Sequence, residues 1–381
     1  NAAGTLSASS ATATGNITLD AVGNASTGTI TTNAGVIDLE SSTGTLTTGA
    51  VSGASSVLLK SSGNLVAGAL TSTTANVNAQ SLTGSVAVTT AKAATALVAQ
   101  SGTDMALGTY AVSGGTATLT SAGTFTSTSG TASGNITLSA VGNASTGAVT
   151  SSAGTVDLKS TGGTLTTGAV SGTSGVLLKS SGNLVATTVT STNANVNAQS
   201  LTGSVAVTTA KAATALVAQS GTTMTLGSFT VSAGGANLTS GTDFTSGSGT
   251  SYGPITISMT GIGSLGTLTT TTGAINATST LKGMSFTALK AGTGIILRAK
   301  ANMGLGLNPT FALFGTSLDA GTGAVDAQTT TGNIQIGKLI AKTNSTVKTS
   351  DGSLKISAVT LPALVTLTAT TSGTRSLPAG Y

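Results

Sequence analysis

The residues of this chain that could do acid–base or metal chemistry are few and of one kind. Its 381 residues include no histidine and no cysteine. That excludes Ser/His/Asp and Cys/His nucleophilic systems, together with zinc sites built on those ligands. Nine acids remain, at Asp20, Asp38, Glu40, Asp104, Asp157, Asp243, Asp319, Asp326 and Asp351. Asp38 and Glu40 are two apart, so they can share one strand face as an acid/base couple. The chain supplies its own test of that idea, because the same stretch occurs again 119 residues later. There the pair reads Asp157 and Lys159, while Asp20 has become Ser139 and Asp104 has become Thr223. A set of residues so freely exchanged reads as a solvated face. A polysaccharide-cleaving carboxylate centre stays as a weaker alternative.

Other chemistries find less support. GTGAVDA at 321–327 is a single imperfect match to a calcium-binding glycine-rich repeat. The glycine-rich stretches lack the lysine and following helix of a phosphate loop. Asn-x-Ser/Thr sequons stand at Asn16, Asn24, Asn135, Asn143, Asn237, Asn276 and Asn344, as a chain rich in Ser and Thr would have by composition alone. No catalytic, cofactor-binding or metal-binding residue is expected, nor any cofactor, and the chain reads as a non-enzyme.

The elements that carry these residues follow from the repeats. Residues 15–133 and 134–252 are about three quarters identical without insertion, and a decayed third copy occupies 253–381. The stretch 75–103 returns unchanged at 194–222. Inside the long repeat lies a shorter one. Apolar pairs two apart recur every twenty residues, with a single nineteen in each long repeat: Ile17 with Leu19, Ile37 with Leu39, Val57 with Leu59, and on through Ile295 with Leu297. Ile334 with Ile336 and Leu354 with Ile356 read as its continuation, with the register between 300 and 333, around Asn308 and Pro309, left open.

Each pair is the inward patch of a short strand, since residues two apart point to the same side. If each step is one turn of a coil, like residues stack in columns and every backbone amide meets the turn above or below. The fold expected is therefore all-β, a single parallel β-solenoid over 1–381, with about twenty residues per turn and a roughly three-sided cross-section. Its length would be on the order of 90 Å, with Val, Leu, Ile and Ala filling a narrow interior.

Composition agrees. Hydrophobic residues make up 39% and charged residues only 6%, with 53 glycines and 2% aromatics. That hydrophobic content argues against disorder, and the scarcity of aromatics argues against an ordinary globular core. No apolar run is long enough for a membrane helix, so no transmembrane segment is expected. The start at Asn1 suggests a processed chain or a fragment.

The stretch GNITLDAVGNASTGTITTNAGVIDLESSTGTLTTGAV and its second copy resemble the repeats of filamentous haemagglutinin-like exoproteins, the β-helical adhesins of Gram-negative bacteria. The resemblance implies a right-handed β-helix with an extracellular, surface-associated role. The N-terminal secretion domain typical of that family is not visible here.

Charge adds a clue to assembly. Residues 1–50 hold Asp20, Asp38 and Glu40 with no basic residue, whereas 331–381 hold Lys338, Lys342, Lys348, Lys355 and Arg375 against Asp351. Lysines without aromatic platforms do not suit nucleic acid, and no nucleic-acid partner is expected. The expected partner is the chain itself, stacked head to tail through open strand edges, with a host or environmental surface or glycan as a further partner. The alternative is the stalk of a longer adhesin. Thr-x-Thr pairs at Thr29/Thr31, Thr45/Thr47 and Thr71/Thr73 raise an ice-binding face as a rival, but their spacing does not follow the twenty-residue step.

Overall fold

The computed structural model describes residues 1–301 and 311–380, so the open register at Asn308 and Pro309 falls outside it. All regular structure among these residues is β-strand, arranged as a parallel β-solenoid of about 18 turns. The chain divides into two compact units, Asn1–Thr192 and Asn193–Tyr381. Both are built from the same two strand types.

The first type is short, such as Ile37–Ser41, with alternate residues buried. It pairs in parallel with its equivalents one turn before and after, so Ile17, Ile37 and Val57 form one inward column and Leu19, Leu39 and Leu59 the next. In the second unit Leu216, Ala236, Ile255, Ile275 and Ile295 continue in the same manner. The apolar pairs of the sequence are these columns, because β-branched and aliphatic side chains stack well on a pleated surface.

The second type is longer and bent. In Ala25–Thr32 the buried residues are Ala25 and Thr27, then Ile30 and Thr32. A straight strand keeps its parity, so the three-residue step from Thr27 to Ile30 marks a corner. Each turn thus has three legs, the short strand and the two halves of the bent one. Glycine recurs at the corner, at Gly28, Gly49, Gly68, Gly108, Gly147 and Gly168, because the backbones pass closely there. A Cβ on Gly147 would lie 1.8 Å from the Thr128 carbonyl oxygen of the previous turn.

The interior is more varied than Val, Leu, Ile and Ala. Phe125 and Phe244 are fully buried, and Tyr110, Phe229 and Phe286 are buried as well. The last three find room because the next turn offers glycine. A Cβ on Gly130 would lie 1.9 Å from the Tyr110 ring, one on Gly249 2.1 Å from Phe229, and one on Gly315 1.9 Å from Phe286. Tyr110 keeps its hydroxyl without a hydrogen-bond partner, and burial pushes its phenol well above the usual range.

One expectation of phase is corrected. Ile334 and Leu354 do not continue the short-strand series; they lie on the bent strands Asn333–Ile340 and Leu354–Thr360, opposite Leu313 and each other. The short series goes from Ile295 to Val325, then through Ala327 to Val347. The turn between Ile295 and Val325 is about ten residues longer than the others, which shifts every later apolar pair by half a turn.

Filling the glycine notch beside an aromatic should strain the core. Gly249→Ala is expected to cost about 1–3 kcal/mol, and in a Phe229→Leu background the penalty should be smaller than the sum of the two changes. Chemical denaturation of the four chains measures this, and strict additivity would show that the ring does not occupy the notch.

Candidate functional site

Because the interior is filled, any function lies on the outward surfaces. The acids are found mainly on the outward side of the short strands. Asp20, Glu40, Lys60 and Gln80 occupy consecutive rungs of one column, and Thr18, Asp38, Leu58 and Asn78 those of its neighbour. Asp38 and Glu40 do share a face. Glu40, however, is ion-paired to Lys60 at 3.1 Å, and the second copy pairs Asp157 with Lys159 at 3.2 Å. Such half-exposed pairs contribute little to stability.

Asp38 is held above the ordinary value of 3.8, first by partial burial, then by Asp20 and Glu40, while Lys60 acts in the opposite direction. Its ionisation therefore works against the fold, and the stability tied to it is lost as pH rises through its folded value. Asp104 behaves oppositely. Its carboxylate accepts the Thr124 backbone N–H at 2.7 Å and the Thr124 hydroxyl at 2.8 Å, which lowers it below 3.8. That stability is present above 3.8 and is lost as pH falls through the folded value.

Asp104 belongs to a ladder that sequence reading missed. At the entry to bent strands, Asn24, Asn64 and Asn143 accept the N–H of Thr45, Ser85 and Thr164 on the next turn, each at 2.9 Å. Asn16 and Asn135 do the same at the entry to short strands. Asp243 takes this role in the second unit, toward Ile262. The sequons at Asn16, Asn24, Asn135, Asn143 and Asn344 thus contain asparagines whose amide oxygen already holds the next turn. A second ladder is buried. Ser41, Ser81, Ser121 and Ser160 close the short strands and donate to the carbonyls of Gly23, Gly63, Thr103 and Gly142, 18 residues earlier. With Ser61 and Ser101 between them, serine recurs at the twenty-residue step from Ser41 to Ser121, and that periodicity was the available signal.

The remaining acids have separate settings. Asp326 of the GTGAVDA stretch lies on the strand Val325–Thr331, where it accepts from Arg298 and Gln328. Asp319 accepts the Gly321 N–H, and Asp351 ends the strand Ser345–Asp351 opposite Thr331. Among the described residues no group of three or more His, Cys, Asp or Glu is placed to hold a metal ion. No described helix is long and apolar enough to cross a membrane.

The second half of the bent strands exposes two columns of small side chains. Thr12, Thr31, Ser52 and Thr71 stand in one, with Ser10 and Thr29 in the other. Thr31 and Thr71 therefore do stack, two turns apart. The spacing had concealed this because the intervening pair, Thr45/Thr47, belongs to the first half of the bent strand, with Thr47 opposite Ser26, while serine at Ser52 fills the rung between. Lys92 interrupts the column next to Thr71, and Lys211 stands at the same place in the second unit.

Two grooves run beside the outward column of the short strands. One, of about 180 Å³, is bordered by Glu40, Lys60, Gln80 and Gln100, with the exposed Leu82 at its lip. The other, of about 380 Å³, lies in the second unit between Arg298, Gln328 and Lys348 on one side and Thr280, Lys300 and Thr330 on the other.

Replacing Lys60 by glutamine should move the Asp38 carboxyl further upward, and Asp104→Asn should abolish the acid-side loss of amide protection at Thr124 while keeping the contact. Carbon-detected NMR titration and hydrogen exchange read both; an unmoved Asp38 would show that Lys60 does not reach it.

Comparison with protein-family models, with curated protein sequences and with solved structures found no significant match to this chain.

Proposed function

We propose that the chain is a non-enzymatic structural protein, a secreted bacterial β-solenoid that forms part of an extracellular fibre or adhesive surface structure. The observation that carries this reading is the way the two long copies differ. Inward exchanges preserve the interior, with Ile30 becoming Val149, Ile37 Val156 and Tyr110 Phe229. Outward positions change class, with Asp20 becoming Ser139, Glu40 Lys159 and Ala111 Thr230. A chain that keeps its turns while its surface groups change class has an extended scaffold as its product, rather than a single reactive centre. The resemblance of its repeats to filamentous haemagglutinin-like exoproteins supports the same role and an extracellular location.

Open strand edges give the scaffold a means of association. Among the described residues Leu6–Ala13 pairs on one edge, with Ala25–Thr32. Among the described residues Leu367–Thr370 and Arg375–Ser376 likewise pair with the turn before them alone. Such edges accept a further parallel strand, either from a second copy or from continuing turns of a longer adhesin. The acidic first fifty residues and the lysine-rich stretch beyond 331 favour head-to-tail contact between copies.

Electron microscopy of the purified chain near physiological salt tests this. Filaments are expected, shortened at low salt by Lys338→Glu with Lys342→Glu. Isolated particles under all conditions would overturn self-assembly and leave the stalk of a longer adhesin as the reading.

A further inference from the structure

The larger groove of the second unit differs in kind from its counterpart in the first. Both lie between the last outward column of the short strands and the loops that follow them. The first carries one internal ion pair, Glu40 with Lys60, and two amides. The second, about twice the volume, carries Arg298, Lys300 and Lys348. Lys282 adjoins them, since its carbonyl accepts the Lys300 N–H at 3.2 Å. Three of the chain's 14 basic residues thus line one groove, with the backbone of a fourth beside it.

The groove is constructed by the rungs. Arg298, Gln328 and Lys348 are consecutive outward residues of one column. Thr280, Lys300, Thr330 and Ser350 form the opposite wall, and the buried Ser279, Ala299 and Thr329 make a floor of small residues. Asp326 fixes the column's first cation, accepting from the Arg298 Nη2 while Gln328 donates to its other oxygen at 2.7 Å. The Arg298 Nη1 adds a bond to the Asp326 carbonyl at 2.9 Å. Lys300, Lys348 and Lys282 make no ion pair with any described carboxylate, Asp351 on the far rung included. Two cations beyond the compensated pair therefore face an open trough rimmed by hydroxyls.

We propose that this groove binds an acidic glycan of the uronate type, with carboxylates at Lys300 and Lys348 and sugar hydroxyls at Gln328, Thr280, Thr330 and Ser350. Lys300 directly follows the rung of Arg298 and Lys348 lies two rungs further on, so the two lysines are about 10 Å apart along the stack at the strand spacing, which is comparable to one disaccharide of an extended chain. The intervening rung is Gln328, an uncharged donor and acceptor suited to hydroxyls. Lysine acts as a point charge on a flexible stem, which fits one carboxylate per sugar ring. The trough offers no aromatic ring on which a nucleobase could stack. The assignment stands apart from the fibre reading, because a single chain carries the whole groove.

The test is biolayer interferometry of the intact chain against an immobilised polygalacturonate oligomer, with dextran and a single-stranded oligonucleotide as comparison probes. Binding to polygalacturonate is expected, weakening as salt rises, with little on dextran or the oligonucleotide. Lys300→Gln with Lys348→Gln should reduce it at least tenfold, whereas Lys92→Gln with Lys211→Gln should leave it unchanged; circular dichroism confirms that each variant keeps its strands. The proposal is overturned if polygalacturonate does not bind, if the double variant binds like the parent, or if the oligonucleotide binds as tightly. Filament formation is read separately, so either proposal can fail while the other stands.

Discussion

The structure depends on one constraint: each turn of backbone satisfies its N–H and C=O groups on the turns before and after it, in parallel and in register. A strand with one unmet edge is costly when buried and adhesive when exposed. The parallel rung solves this for every turn within a unit, and in doing so it places residue upon equivalent residue. Ile17 lies over Ile37, Ser41 over Ser61, and Asp20 over Glu40. Everything particular to this protein follows from what such stacking permits.

Inside, stacking permits aliphatic columns and demands compensation wherever a larger side chain enters. Tyr110, Phe229 and Phe286 are each answered by a glycine one turn later. At the turn ends it permits ladders of hydrogen bonds running along the stack. The serine hydroxyls and asparagine amides reach loop backbone that no strand partner serves, which meets the requirement that buried polar groups be paired. Each such bond contributes about 0.5–1.5 kcal/mol net, and the same bond recurs at several turns along the stack.

Outside, stacking makes charge conspicuous. Like charges on neighbouring rungs repel, as Asp20, Glu40 and Asp38 do, and the sequence relieves them with Lys60 on the next rung. Across most of the surface the chain avoids the problem by using Thr, Ser and Ala. The cationic groove around Lys300 and Lys348 departs from that rule, and it does so in the decayed third copy, where the turn between Ile295 and Val325 is enlarged.

The sequence by itself determined the fold class. Apolar pairs two apart at a twenty-residue step have no other economical reading, because period two means strand and an invariant long step means a repeating turn. It also showed that the acids are exchangeable, since the second copy at Ser139 and Lys159 is an internal comparison. Tertiary structure alone decided which sheet a pair joins. An i, i+2 pair marks an inward face without saying whether it belongs to the short or the bent strand, so one long turn moved Ile334 and Leu354 to the other sheet. It alone showed the stacking of Thr31 with Thr71 and the meeting of Arg298 with Lys300 and Lys348. Those neighbours are set by the lengths of individual turns, and these vary from 19 to 21 residues along the bent strands, with one turn far longer. A repeat fixes the average turn, while a surface depends on each one.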